Sequence, residues 1–75
     1  MRLERKNRDR NEYRFYEVVI EPDLFEECSL VICWGRIGSS SRQRIVSSGN
    51  SDSMMALAEQ VSARKQRRGY LPVST

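Results

Sequence analysis

Seventy-five residues with 13 Lys and Arg, 10 Asp and Glu and no histidine carry a net charge of +3, enough chain for one compact domain with a thin core and too little for a deep catalytic cleft. Hydrophobic residues make up 39% and charged residues 31%, which excludes a disordered polyelectrolyte, and no apolar run approaches the length that spans a bilayer. The polar start Met1-Arg2-Leu3-Glu4-Arg5-Lys6 lacks the apolar stretch of a secretory signal, which predicts a cytoplasmic location.

In chain order, residues 1–12 form a basic segment in which Leu3 to Lys6 is a possible edge strand, its charges discouraging further pairing. Tyr13 to Ile20 is rich in aromatic and β-branched residues and ends at Pro22-Asp23, the signature of a strand running into a turn. A second strand is predicted over Glu27 to Ile37, close enough in sequence for an antiparallel hairpin, with Leu24 and Phe25 expected to fold back over the end of the sheet. Gly38-Ser39-Ser40-Ser41 makes the next turn and Arg42 to Ser48 the third strand. After the break at Gly49-Asn50-Ser51-Asp52-Ser53, the residues Met54, Leu57, Ala58 and Val61 recur on one helix face. Ser51 or Asp52 is the expected cap, and Gly69 the stop, behind arginines suited to the negative end of the helix dipole. Residues 70–75 are left as a short tail that Tyr70 pins by packing. The whole reads as one α+β domain over residues 1–75, a twisted antiparallel sheet of three to four strands with one C-terminal helix on one face.

Cys28 and Cys33 are five apart, so on one strand they point to opposite faces and do not bond to each other. Two cysteines without a histidine also fall short of a four-ligand zinc site, and both read as small packing residues. No metal or other cofactor is implied, and no small-molecule substrate or membrane is expected. Catalysis has little footing: the serines at 39, 40, 41, 47 and 48 have no histidine to activate them, Glu26 and Glu27 point apart on a strand, and Gly35 and Gly38 do not form a phosphate-binding loop.

The cations gather at two places. Arg2, Arg5, Lys6, Arg8 and Arg10 crowd the first ten residues, and Arg64, Lys65, Arg67 and Arg68 close the predicted helix, with an acidic patch of Glu21, Asp23, Glu26 and Glu27 between them. Eleven of the 13 are arginine, whose planar fork grips phosphate bidentately and stacks on flat surfaces. That composition points toward nucleic acid, although a solvated surface accounts for it equally well.

Arg14-Phe15-Tyr16-Glu17-Val18, then Trp34-Gly35-Arg36-Ile37-Gly38, then the helix, then Arg67-Arg68-Gly69-Tyr70 together resemble the WGR domain family in both order and spacing. Small stand-alone bacterial proteins of that family have about this length, so the resemblance covers nearly the whole chain. It implies a twisted antiparallel sheet flanked by a helix and a binding module without catalysis. In the DNA-dependent poly(ADP-ribose) polymerases the family's tryptophan packs on the sugar of a terminal nucleotide and its motif arginine links DNA to neighbouring domains, roles that fall by position on Trp34 and Arg36. Two departures stand beside the motif. Ser41 replaces a second glycine common in relatives, and Cys33 replaces a polar or charged residue.

On a strand Trp34 and Arg36 share a face about 7 Å apart, with the indole offering a plane for a sugar or base and the guanidinium a grip on phosphate. Gly35 leaves the opposite face open to close approach by other backbone. The alternative on the same pattern is a core tryptophan, aligned with Leu30 and Ile32, under an Arg36 cation–π cover. Phe15 and Tyr16 point to opposite faces, which predicts one in the core and one at the surface. Arg42 and Arg44 share parity and extend a basic strip beside Arg36, and Arg64, Lys65, Arg67 and Arg68 are placed to track a phosphate backbone or simply to complement the dipole. The expected nucleic-acid-binding set is therefore Trp34, Arg36, Arg42, Arg44, Arg64, Lys65, Arg67 and Arg68, with DNA, at ends or nicks by resemblance, as the expected partner and RNA left open. The competing expectation is a protein-interaction adaptor or self-associating module that uses the acidic turn and the motif face.

Overall fold

The computed structural model describes residues 1–74. Period-two alternation builds a sheet from β1 (Arg2–Asn7), β2 (Glu12–Pro22), β3 (Cys28–Arg36), β4 (Ser41–Gly49) and β5 (Leu71–Val73), with helix α1 (Ser51–Arg67) between the last two. The sheet order is β4-β3-β2-β1-β5, and every neighbouring pair is antiparallel.

The sheet has five strands rather than three or four, because the expected tail supplies β5. β1 is therefore an interior strand, with Leu3 opposite Tyr16 on one side and Pro72 on the other. The three-residue β5 takes the edge in its place, where Pro72 can be tolerated despite lacking an N–H. No local signal marks so short a strand.

Alternation sorts the side chains into two faces. Leu3, Tyr16, Val18, Leu30 and Ile32 form the core under the helix with Cys28, Met54 and Tyr70, while Trp34, Val46, Leu57, Ala58 and Val61 pack against its edges. The helix face is the one its spacing predicts. Leu3 and Leu30 are fully buried, each worth about 1.5–3 kcal/mol relative to an exposed side chain. Cys28 and Cys33 are both free, the first buried in this core and the second partly exposed beside Gln43.

Phe15 and Tyr16 depart from the expectation that one would be at the surface, since both are buried. Phe15 lies on the face away from the helix, where the Arg2 guanidinium covers its ring at 4.4 Å while bonding Glu4 and Glu17. A bulge in the β3–β4 ladder lets Val31 pair with Ile45 but Leu30 with Ser47. The extra residue, Val46, packs against the edge of the core, and Arg42 and Arg44 are left on the helix side opposite Trp34 and Ile32.

Asn50 caps α1, rather than Ser51 or Asp52: its side chain accepts from Ser53 N at 2.8 Å, the reach an N-cap oxygen has to N3. Glu27 takes another free donor, Ser51 N, at 2.8 Å, which ties the acidic loop to the positive end of the helix. At the far end Gly69 N bonds Gln66 O and Tyr70 N bonds Lys65 O, a Schellman pair that needs the positive φ of 93° at Gly69. That turn drops Tyr70 into the core and starts β5.

Candidate nucleic-acid interface

Where the last turns of α1 pass over the motif end of the sheet, a cleft of about 570 Å³ opens, lined in part by Arg14, Tyr16, Trp34, Arg36, Arg44, Lys65 and Tyr70. Its size falls in the range of small-ligand sites. Register puts Tyr16 opposite Trp34 and Arg14 opposite Arg36. Trp34 is half-buried, with one side against the core and the rest in the cleft wall. Tyr16 and Tyr70 meet edge-to-face with centroids 6.3 Å apart, and Lys65 Nζ sits 4.6 Å from the first ring centroid and 5.6 Å from the second.

The charge balance in this cleft is one-sided. Among the described residues none of Arg14, Arg36, Arg44 and Lys65 is ion-paired with a carboxylate; the pairs that form involve Arg2, Arg5 and Lys6. Arg14 and Arg36 are like charges directly opposite on adjacent strands, a destabilising arrangement that an anion between them relieves. Burial, followed by the Arg68 and Arg64 charges, pushes the Lys65 ammonium pKa down. Burial pushes the Tyr16 phenol up, against the pull of Arg44 and Arg64, so the wall beside the cations is a neutral aromatic.

Gly35 sits where the backbone of the β3–β4 hairpin approaches closely. A Cβ there would stand 3.0 Å from Ser40 O and 3.3 Å from both Phe15 Cε1 and Ser41 Cα. The Trp-Gly-Arg string thus joins an aromatic surface, a close backbone approach that suits glycine, and a cation.

Residues 1–75 match the WGR domain family. The chain belongs to that family. It is also 34% identical over 70 residues, 93% of its length, to an uncharacterized protein, y4dW, of Sinorhizobium fredii (strain NBRC 101917 / NGR234). The match spans only 34% of that relative's length. No solved structure matches the chain. WGR domains are binding modules, known in general for contact with nucleic acid.

Within this WGR domain the residues expected from sequence separate into two groups. Trp34, Arg36, Arg44 and Lys65 line the cleft together. Arg42 is exposed opposite Trp34 at the flank, Arg64 lies near enough to act on the Tyr16 phenol, and Arg67 and Arg68 are exposed at the helix end outside the lining. The WGR arginine does not cover the WGR tryptophan. Its guanidinium donates to Asn11 O at 3.0 Å and Asn11 Oδ1 at 3.2 Å and lies 5.5 Å from the Tyr13 centroid. Asn11, held at φ 53° in the β1–β2 turn, orients Arg36 without neutralising it, and a guanidinium has five donors to share.

Sequence reasoning did not place Arg14, Tyr16 and Tyr70 at the site. Arg14 and Tyr16 share parity, and an antiparallel register pairing Tyr16 with Trp34 brings both to the motif. Tyr70 carried no such signal, since its position follows from the turn at Gly69.

Proposed function

We propose that this WGR domain is a non-catalytic nucleic-acid-binding module that takes a DNA sugar-phosphate segment, at an end or nick, into the cleft between α1 and the motif end of the sheet. One observation carries the reading. Four cations that have no carboxylate partner among the described residues surround a wall made of Trp34, Tyr16 and Tyr70. An arrangement of that kind is electrostatically unfavourable when empty and complementary to a phosphate beside a flat sugar or base. Trp34 supplies the stacking surface, Arg36 a pre-oriented fork, Arg44 and Lys65 charge from the sheet and helix sides, and Arg14 a second charge beside Arg36. Family membership supports nucleic acid as the ligand class.

Titration of short duplexes at low salt tests the reading. Binding is expected, with Trp34→Ala losing far more affinity than Arg67→Ala because Arg67 lies outside the cleft. Absence of binding at low salt, or equal losses in the two variants, overturns it.

A further inference from the structure

All 13 cations lie within residues 2–14 and 36–68, whereas residues 15–35 carry Glu17, Glu21, Asp23, Glu26 and Glu27 and no cation at all. β2 runs between these two regimes, and the eight residue steps from Arg14 to Pro22 carry the chain ~27 Å along the sheet. The loop joining β2 to β3 is therefore remote from the basic cleft, and its charge repels phosphate.

That loop is tightly held. Asp23 Oδ1 accepts from Phe25 N at 2.8 Å and Glu26 N at 3.2 Å, and Oδ2 accepts from Ser48 Oγ at 3.2 Å and from the buried Ser29 hydroxyl. The ordered turn nonetheless leaves Leu24 94% and Phe25 93% exposed, contrary to the expectation that they fold back over the sheet. Beside them, on the face opposite the helix, runs a groove of about 350 Å³ between the loop and β4, with Val31, Ile45 and Glu21 among its lining. Ile45 is itself 64% exposed.

Two large apolar side chains carried on a hydrogen-bonded turn are favourable anchors, since the backbone that presents them has little ordering entropy left to lose on contact. The acidic surroundings select the sign of the partner. A second copy meeting this patch through its own would set acid against acid.

We propose that this groove docks a cationic polypeptide segment, one apolar side chain entering between Phe25 and Ile45 while lysines or arginines face Glu21 and Asp23. The surface is separate from the basic cleft and does not depend on nucleic-acid binding.

The test is a nuclear magnetic resonance titration of the full chain with three synthetic peptides, alternating Lys-Leu, Lys-Ser and Glu-Leu. The Lys-Leu peptide is expected to shift the amides of Leu24, Phe25, Val31 and Ile45. The double variant Leu24→Ser/Phe25→Ser should weaken it at least ~tenfold, with melting temperature and duplex affinity unchanged because both side chains are exposed. Binding of the Lys-Ser or Glu-Leu peptide as tight as that of Lys-Leu overturns the proposal. So do failure of the Lys-Leu peptide to bind, binding that survives the double variant, shifts centred on the cleft, and sedimentation showing a wild-type dimer that the double variant abolishes.

Discussion

Replacement of Arg44 by alanine probes the cleft at a position where stability and binding separate. Arg44 is exposed, stands opposite Ile32 on the helix side of β4, and forms no ion pair among the described residues, so its loss should change stability by no more than ~0.5 kcal/mol. With Arg14, Arg36, Arg44 and Lys65 all on phosphate, log K should fall with log salt at a slope of about −3.6, which is an affinity loss of about 150-fold between ~50 and ~200 mM. Removing one contact should flatten the slope to about −2.7 and lower affinity about eightfold at ~100 mM. Arg67→Ala, altering a cation outside the cleft, should leave the slope nearly unchanged. Fluorescence anisotropy of a labelled short duplex across a salt series measures both quantities. A wild-type slope shallower than about −1, or an Arg44→Ala slope equal to wild type, refutes the assignment of the cleft cations to phosphate.

Gly35→Ala should destabilise the fold by about 1–3 kcal/mol, because the new methyl group crowds the backbone at Ser40 and Ser41; thermal melting should show a drop of at least ~4 °C, and a variant melting with wild type would show that the hairpin yields. The Asp23 carboxyl is held down at about 2 by hydrogen bonds, first from Ser29 and then from the Phe25 and Glu26 amides. A depressed folded-state pKa stabilises the fold above the unfolded carboxyl value and loses that contribution as pH falls toward 2. Wild type should therefore lose more melting temperature than Asp23→Asn between pH ~5 and ~2, and parallel acid profiles would count against the Asp23 clamp.

Much of this fold was legible in local pattern. Met54, Leu57, Ala58 and Val61 lie on one face at helical spacing and all pack on the core, because a 3.6-residue period is fixed by helix geometry whatever the helix touches. Parity likewise joined Trp34 to Arg36 and Arg42 to Arg44. The cap moved to Asn50 because Ser, Asp and Asn are equivalent caps in sequence, and only the path out of β4 selects among them. Leu24 and Phe25 were misplaced because hydrophobicity alone says that burial is favourable, while Asp23 fixes the turn in which they point outward.

The sequence by itself determined that strands and one helix form and that the Trp and Arg of the motif share a face, since each depends on residues near one another along the chain, and the order and spacing of its motifs marked the chain as a WGR domain. Tertiary structure decided which of the basic residues lie together. Arg14 reaches Arg36 through the β2–β3 register, Arg44 is placed on the helix side by the β3–β4 pairing, and Lys65 arrives through the angle at which α1 crosses the sheet. Those contacts join segments far apart in the chain, and their positions are set by packing over the whole core rather than by any local preference. The same packing left Arg67 and Arg68, equally basic in sequence, outside the cleft.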